Sequence, residues 1–261
     1  MWLEIDDRGA VRWLTINRPD RRNAIPGDGW ADLARAFVDF GGSGQRVLVV
    51  TGAGGAFCSG ADLDPAEAVE LADVSGRHRR MKIVAAAALA LHRVPKPTIA
   101  AVDGVAAGAG MNLALGCDLV IASHRARFSE IFVRRGLTVD FGGTWLLPRA
   151  VGPQRAKELS LTGRIVEADE ALAIGLVMEL VNTEDLQGRV TEIAAALASG
   201  APVAQRFTKQ GLDRSWEVSF EEALAAEGQS QAICFSTEDV AEGIAAFLEK
   251  RPPEFTAGRY P

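Results

Sequence analysis

The run Gly52-Ala-Gly-Gly-Ala-Phe-Cys-Ser-Gly-Ala-Asp-Leu63 and its counterpart Asp103-Gly-Val-Ala-Ala-Gly-Ala-Gly-Met-Asn112 decide the reading of this chain. Each glycine-rich turn follows a short apolar run of strand character, Val47-Leu-Val-Val50 before the first and Thr98-Ile-Ala-Ala-Val102 before the second. Two such turns can each direct a backbone N–H at one carbonyl oxygen, forming an oxyanion hole, and so point to chemistry at a thioester or ester carbonyl. Nucleotide readings of the first turn fail on register. A dinucleotide fingerprint needs Gly-x-Gly-x-x-Gly, whereas Phe57 stands at the last position here, and no Gly-Lys-Ser/Thr of a P-loop follows. The plainer alternative is a surface turn with Phe57 as a core anchor. Against it, Gly108-Ala-Gly110 leads directly into a helical stretch, Met111 to Gly116, whose N–H groups and positive end face the same anion.

Outward from these turns, Trp2 to Ile5 and Val11 to Ile16 read as a hairpin turning at Asp7-Arg-Gly9, and Pro19 ends that unit. Residues 26 to 40 show helical spacing at Trp30, Leu33, Ala34, Phe37 and Val38, and a second helical region covers roughly 66 to 93 before Pro95-Lys-Pro97 breaks it. With Leu119-Val-Ile-Ala122 as a third buried strand, the repeated order of strand, turn and helix indicates an α/β core. Beyond about residue 184 every apolar pattern has helical period. Val240, Ile244, Phe247 and Leu248 form one stripe, with Ser236 as the expected cap and Arg251-Pro-Pro253 as the stop. The expected division is a core over residues 1–200 and a helical appendage over 201–261, whose apolar stripe meets another subunit.

At 261 residues, 48% hydrophobic and 24% charged, the chain has material for a sizeable core, and disordered or collagen-like classes are excluded. A net charge of −6 removes any overall attraction to nucleic acid or anionic membrane. The longest apolar run, Ile83 to Leu91, is too short to span a bilayer, and the first residues lack the pattern of a signal peptide, so a cytoplasmic location is expected. The three cysteines, Cys58, Cys117 and Cys234, and the histidines His78, His92 and His124 show neither disulfide nor metal-ligand spacing. No metal is expected.

The combination Arg18-Pro-x-x-Arg-Asn-Ala24, Ala56-Phe-Cys-Ser-Gly-Ala-Asp-Leu63, Lys96-Pro-Thr-Ile-Ala-Ala-Val-Asp-Gly-Val-Ala-Ala-Gly-Ala-Gly110 and Cys117-Asp118 resembles the crotonase superfamily, also called the enoyl-CoA hydratase/isomerase family. The tail from Ser236 to Phe255 is similar to that family's C-terminal motif, so the resemblance spans nearly the whole chain. It implies a spiral core of repeated ββα units, a C-terminal helical region forming a homotrimer or a dimer of trimers, and an acyl-CoA thioester as ligand. It further implies an oxyanion hole from the backbone N–H groups of Ser59 and Ala109. Coenzyme A contacts are implied at Arg22, Ala24, Ala61, Asp62 and Leu63, with Phe247 and Lys250 completing the nucleotide pocket of an adjacent subunit.

The chain departs from the hydratases of that family where they place two glutamates around one water, because those positions carry Asn112 and Phe132. Neither side chain acts as a carboxylate base. The segment Gly136-Leu-Thr-Val-Asp-Phe-Gly-Gly-Thr-Trp-Leu-Leu-Pro-Arg149 instead resembles the branch containing 1,2-epoxyphenylacetyl-CoA isomerases and enoyl-CoA isomerases, which implies Asp140 as acid/base. Asn112 is then left to orient substrate or water. One carboxylate suits double-bond isomerisation, since it removes a proton at one carbon and returns it two carbons along, and no cofactor beyond the substrate's coenzyme A is expected. Alternatives stay open: Asp140 as a cap for the helix starting near Gly142, weak hydratase activity in fatty-acid degradation, or a non-catalytic acyl-CoA carrier. Glu130 reads as a solvated carboxylate, Asp62, Asp103 and Asp118 as partners of local backbone, and Cys58 as a thioester nucleophile only by proximity.

Overall fold

The computed structural model describes residues 1–63 and 73–255. Leu3–Arg8 (β1) and Val11–Ile16 (β2) pair antiparallel, Leu3 opposite Ile16 and Arg8 opposite Val11, so the expected hairpin forms with its first strand carried on to Arg8. Gly29–Gly42 (α1), Val47–Gly52 (β3) and Val74–His92 (α2) follow. Next come Thr98–Val102 (β4), Val105–Ala107 (β5), Ala109–Leu115 (α3), Leu119–Ser123 (β6) and Arg127–Ser129 (β7). Gly143–Val151 (α4), Pro153–Thr162 (α5), Val166–Glu167 (β8), Ala168–Ala173 (α6) and Glu179–Val181 (β9) complete the mixed part. The rest is helical: Leu186–Ala198 (α7), Pro202–Arg214 (α8), Phe220–Phe235 (α9) and Glu238–Glu249 (α10).

Six strands form one sheet in the order β1-β2-β3-β4-β6-β9, and β5-β7-β8 form a second, smaller one. From β2 to β9 the large sheet is parallel throughout. Consecutive strands are dealt to the two sheets in turn, β4 then β5 and β6 then β7, which is the ββα spiral. Because a strand alternates its side chains between faces, the apolar run of β3 splits in two. Leu48 and Val50 join Leu33, Phe37 and Phe40 of α1 and Val84, Ala87 and Leu91 of α2. Val47 and Val49 join Ile99, Ala101 and Ile121 under Leu186, Val190 and Ala194 of α7. A sheet covered on both faces explains why its strands read as continuous apolar runs.

Three expectations shift. The buried stripe of α1 is Trp30, Leu33, Phe37 and Phe40, whereas Val38, one residue and about 100° of helix away from Phe37, is 65% exposed. Ser236 does not cap α10: α9 extends to Phe235, so the Ser236 hydroxyl donates back to the Ile233 carbonyl, and Thr237 occupies the cap position with its hydroxyl likewise turned back, donating to the Cys234 carbonyl rather than capping α10. The second helix starts at Val74, with the Asp73 carboxylate accepting from the Gly76 N–H, and the earlier part of the expected region, residues 66–72, lies outside the described residues. On α10 the inward residues are Asp239 and Ala246, while Ile244, Phe247 and Leu248 face outward. No helix among the described residues is long and apolar enough to cross a membrane.

Candidate active site

The two glycine turns meet. Phe57 and Cys58 donate their N–H groups to the Val105 carbonyl, and Ala107 donates back to the Cys58 carbonyl at 2.9 Å. This ladder demands close backbone approach: a Cβ on Gly110 would lie 2.1 Å from the Cys58 oxygen, so only glycine fits there. A third loop joins from the N-terminal side, as Ile25 donates to the Gly60 carbonyl and Asp62 to the Ile25 carbonyl, both at 2.8 Å. The Asn23 carboxamide, fully buried, binds the Ala53 and Ala56 carbonyls and fixes the first turn from beneath.

These contacts correct the expected donor. The Ser59 N–H is spent on the Arg22 carbonyl at 3.0 Å and is not available to a ligand. Among the described residues the Ala61 N–H, two positions on, makes no hydrogen bond, and neither does that of Ala109, which opens α3 where no intrahelical acceptor exists. A Cβ on Gly60 would lie 3.6 Å from the Ala109 nitrogen, which sets the peptide after Gly60 beside that second donor. The free pair is therefore Ala61 and Ala109. Ala61 carries both this donor and its expected place in the ligand loop.

One helical turn beyond Ala109, Asn112 is fully buried, and its Nδ2 donates to the Asp140 backbone oxygen at 3.0 Å. The same oxygen accepts from the Gly143 N–H at 3.0 Å. The next residue, Phe141, holds a left-handed φ of 49° and sets its ring 5.5 Å from that of Trp30, tilted by 44°. Such a conformation in a bulky residue is strained and persists only where the surroundings impose it. Asp140 is thus positioned from both sides. Its carboxylate does not cap α4, whose cap residue is Gly142. Its Oδ1 is buried without a partner, and burial pushes its pKa up to about 6.

Glu130 overturns the solvated reading. It follows β7 at the start of a 3-10 turn, Ile131–Arg135, and is fully buried, with Oε2 3.4 Å from Asn112 Nδ2 and Oε1 unpartnered. Burial pushes its pKa up to about 8, the Asn112 bond opposes that shift and the Asp140 charge adds to it. Strand alternation could not place a residue standing just past the strand's end. Cys58 is equally buried, and burial pushes its thiol up to about 12, which removes it as a nucleophile at neutral pH. Phe132 is buried beside Gly108, where a Cβ would come within 3.5 Å of its ring.

The residues assigned to coenzyme A divide into two groups. Arg22, Ala24, Ala61, Asp62 and Leu63 lie on the two zipped loops, with Arg22 in the left-handed region at φ 49° and Leu63 67% exposed. The Asp62 carboxylate is held by Arg18 at 2.8 Å, so its side chain braces the loop. Asp103 is held by Arg125 and Ser123, and Asp118 by Thr98 and Lys209, which are likewise bracing contacts. Phe247 and Lys250 stand apart at the exposed end of α10.

A spiral of two interleaved sheets with free N–H groups at two facing turns defines a crotonase-fold protein. The chain belongs to the enoyl-CoA hydratase/isomerase family, whose model matches residues 6–258. It is 38% identical to the short-chain-enoyl-CoA hydratase of Clostridium acetobutylicum over 96% of this chain and 95% of that one. It is 37% identical to the 1,2-epoxyphenylacetyl-CoA isomerase of Escherichia coli, over 95% of each. Among solved structures, an enoyl-CoA hydratase/isomerase of Cupriavidus metallidurans CH34 superimposes with a TM-score of 0.91 at 38% identity, covering 100% of this chain and 98% of that one.

Proposed function

We propose that the protein is an acyl-CoA isomerase in which Asp140 moves one proton along an unsaturated thioester. The observation that carries this reading is the Asp140 carboxyl itself: braced through its backbone by Asn112 and Gly143, with one oxygen unpartnered, next to the helix that bears Ala109. With the thioester oxygen between the Ala61 and Ala109 N–H groups, the C2 proton of a 3-enoyl-CoA passes to the Asp140 carboxylate and the charge moves to that oxygen as a dienolate. The same carboxyl returns the proton at C4, giving the 2-enoyl-CoA with no net change of atoms. Each preorganised donor contributes roughly 3 kcal/mol to stabilising the developing oxyanion. The chemistry draws on no group beyond the substrate's own coenzyme A. Arg22, Ala24, Ala61, Asp62 and Leu63 offer the loop surface for pantetheine and adenine, and Phe247 and Lys250 the edge of a neighbouring subunit's nucleotide pocket. The outward Ile244, Phe247 and Leu248 of α10 support a homotrimer or a dimer of trimers in the cytoplasm.

The test is mass spectrometry of 3-enoyl-CoA incubated in D₂O with wild type and with Asp140→Asn. Expected are conversion and deuterium uptake by wild type, lost by at least about 100-fold in the variant, while acyl-CoA binding persists. The wild-type rate should climb with pH through about 6 as Asp140 ionises. The similarity to a named hydratase supports a second reading, water addition. It predicts a 3-hydroxyacyl-CoA from 2-enoyl-CoA, and formation of that product without deuterium uptake at C4 rejects the isomerase.

A further inference from the structure

Three buried acceptor oxygens, Asn112 Oδ1, Glu130 Oε1 and Asp140 Oδ1, have no hydrogen-bond partner. They belong to residues joined through one carboxamide, since Asn112 Nδ2 reaches Glu130 Oε2 at 3.4 Å and the Asp140 carbonyl at 3.0 Å. The carboxamide cannot swing away, because Gly143 packs so tightly that a Cβ there would lie 2.3 Å from Nδ2. No cation compensates Glu130 among the described residues. Of the arginines nearby in the chain, Arg134 donates to the Thr162 carbonyl, Arg135 is exposed, and Arg164 is clamped between Glu158 and Glu170. The remaining ionisable group facing it is Asp140, of the same sign. Three buried acceptors left without a donor, two of them carboxyl oxygens, are costly unless one carboxyl keeps its proton. Glu130, sealed from solvent, is the one that keeps it, and partly exposed Asp140 is the one that ionises.

We propose that Glu130 is a positioning residue for the isomerisation: a neutral carboxyl that anchors the Asn112 carboxamide, through which Asp140 is held, and that leaves the negative charge of the pair to Asp140 alone. The inference rests on the reading of Asp140 as the acid/base. Ionised, Glu130 would set a second negative charge beside the forming dienolate and slow the reaction, so catalysis requires its proton.

The experiment compares wild type, Glu130→Gln and Glu130→Ala in two measurements. In the first, the rate of deuterium uptake from D₂O into 3-enoyl-CoA is followed between pH 5 and 10. Wild type is expected to lose about tenfold per pH unit above an inflection near 8, and Glu130→Gln to lack that alkaline limb. Glu130→Ala, leaving Asn112 unanchored, lowers kcat at unchanged KM over the whole range, and Glu130→Gln recovers part of it. In the second, melting temperatures are measured without substrate. The folded-state pKa of Glu130 lies above its ordinary value of 4.5, so the folded protein holds the extra proton and its advantage is lost as pH rises towards about 8. Wild type is therefore expected to lose stability relative to Glu130→Gln across that interval and to level off above it.

Equal pH dependence of Glu130→Gln and wild type in both measurements overturns the proposal. So does a folded Glu130→Gln that takes up no deuterium at any pH, which would make Glu130 the proton-transfer group itself. A wild type that melts as expected but neither converts 3-enoyl-CoA nor takes up deuterium instead overturns the reading of Asp140 and leaves the buried proton of Glu130 supported, so the two failures are distinguishable.

Discussion

Replacing Gly110 by alanine tests the proposed hole without touching a titratable group. The new Cβ would lie 2.1 Å from the Cys58 oxygen, 2.7 Å from its carbonyl carbon and 2.9 Å from its Cβ. Two of those atoms are backbone, so no side-chain rotation relieves the contact. Restoring an ordinary separation of 3.4 Å opens the gap between the turns by about 1.3 Å. The Ala107 to Cys58 hydrogen bond, now 2.9 Å, cannot survive that opening, and Ala61 and Ala109 move apart with it. Losing one oxyanion donor costs roughly 100-fold to 1,000-fold in kcat, and that is the expected loss for Gly110→Ala. The assay is isomerisation of 3-enoyl-CoA at saturating substrate, with circular dichroism and a melting curve to confirm the fold. Gly188→Ala in α7 is the control: nothing lies within 4 Å of its Cβ position, so the rate should hold and stability should rise by about 0.5 kcal/mol. A folded Gly110→Ala protein within threefold of the wild-type rate would refute the oxyanion-hole reasoning.

Iodoacetamide at pH 8 should label Cys234 and spare Cys58 and Cys117 in the native protein, because burial pushes both of those thiols up to about 12; mass spectrometry showing native labelling of Cys58 would contradict its burial. Asp103→Asn should lower stability by about 1 kcal/mol at neutral pH, since Arg125 and Ser123 hold this carboxylate at the second turn. Arg125 keeps the Asp103 pKa below its ordinary 3.8, so that contribution is present above this value and fades as pH falls further, and the gap in melting temperature between the two proteins should close in acid.

The strands β3, β4 and β6 were legible because both of their faces are covered, which turns burial into an unbroken apolar run. The second sheet was not, because β5, β7 and β8 have two or three residues each, too few to show a period. The expectation of Ser59 as donor missed by two residues for a related reason. Which N–H in a turn stays free depends on the Arg22 carbonyl of a distant loop, and no local pattern reports that contact. Asp140 was singled out through a resemblance to an isomerase segment, and its acid/base role stays a proposal, while Glu130 was read as solvated because its burial depends on Asn112 of α3 and on the turn before α4, both distant in sequence. Val38 and Ser236 were misjudged by one helical position and by the length of α9 respectively, which are boundary questions that tertiary packing settles.

The meeting of the two turns also separates two kinds of mutability. The free N–H groups of Ala61 and Ala109 belong to the main chain, so changing either side chain leaves the donor itself in place, and only a change in bulk at a contact such as Gly110 against Cys58 disturbs it. The groups at positions 112, 130, 132 and 140, with Asp140 the proposed proton carrier, are side chains that a single codon can exchange. Under the proposed chemistry, substitution can therefore redirect what happens to an activated thioester, adding water, shifting a double bond or merely holding the ligand, while the means of activating it stays where the backbone put it.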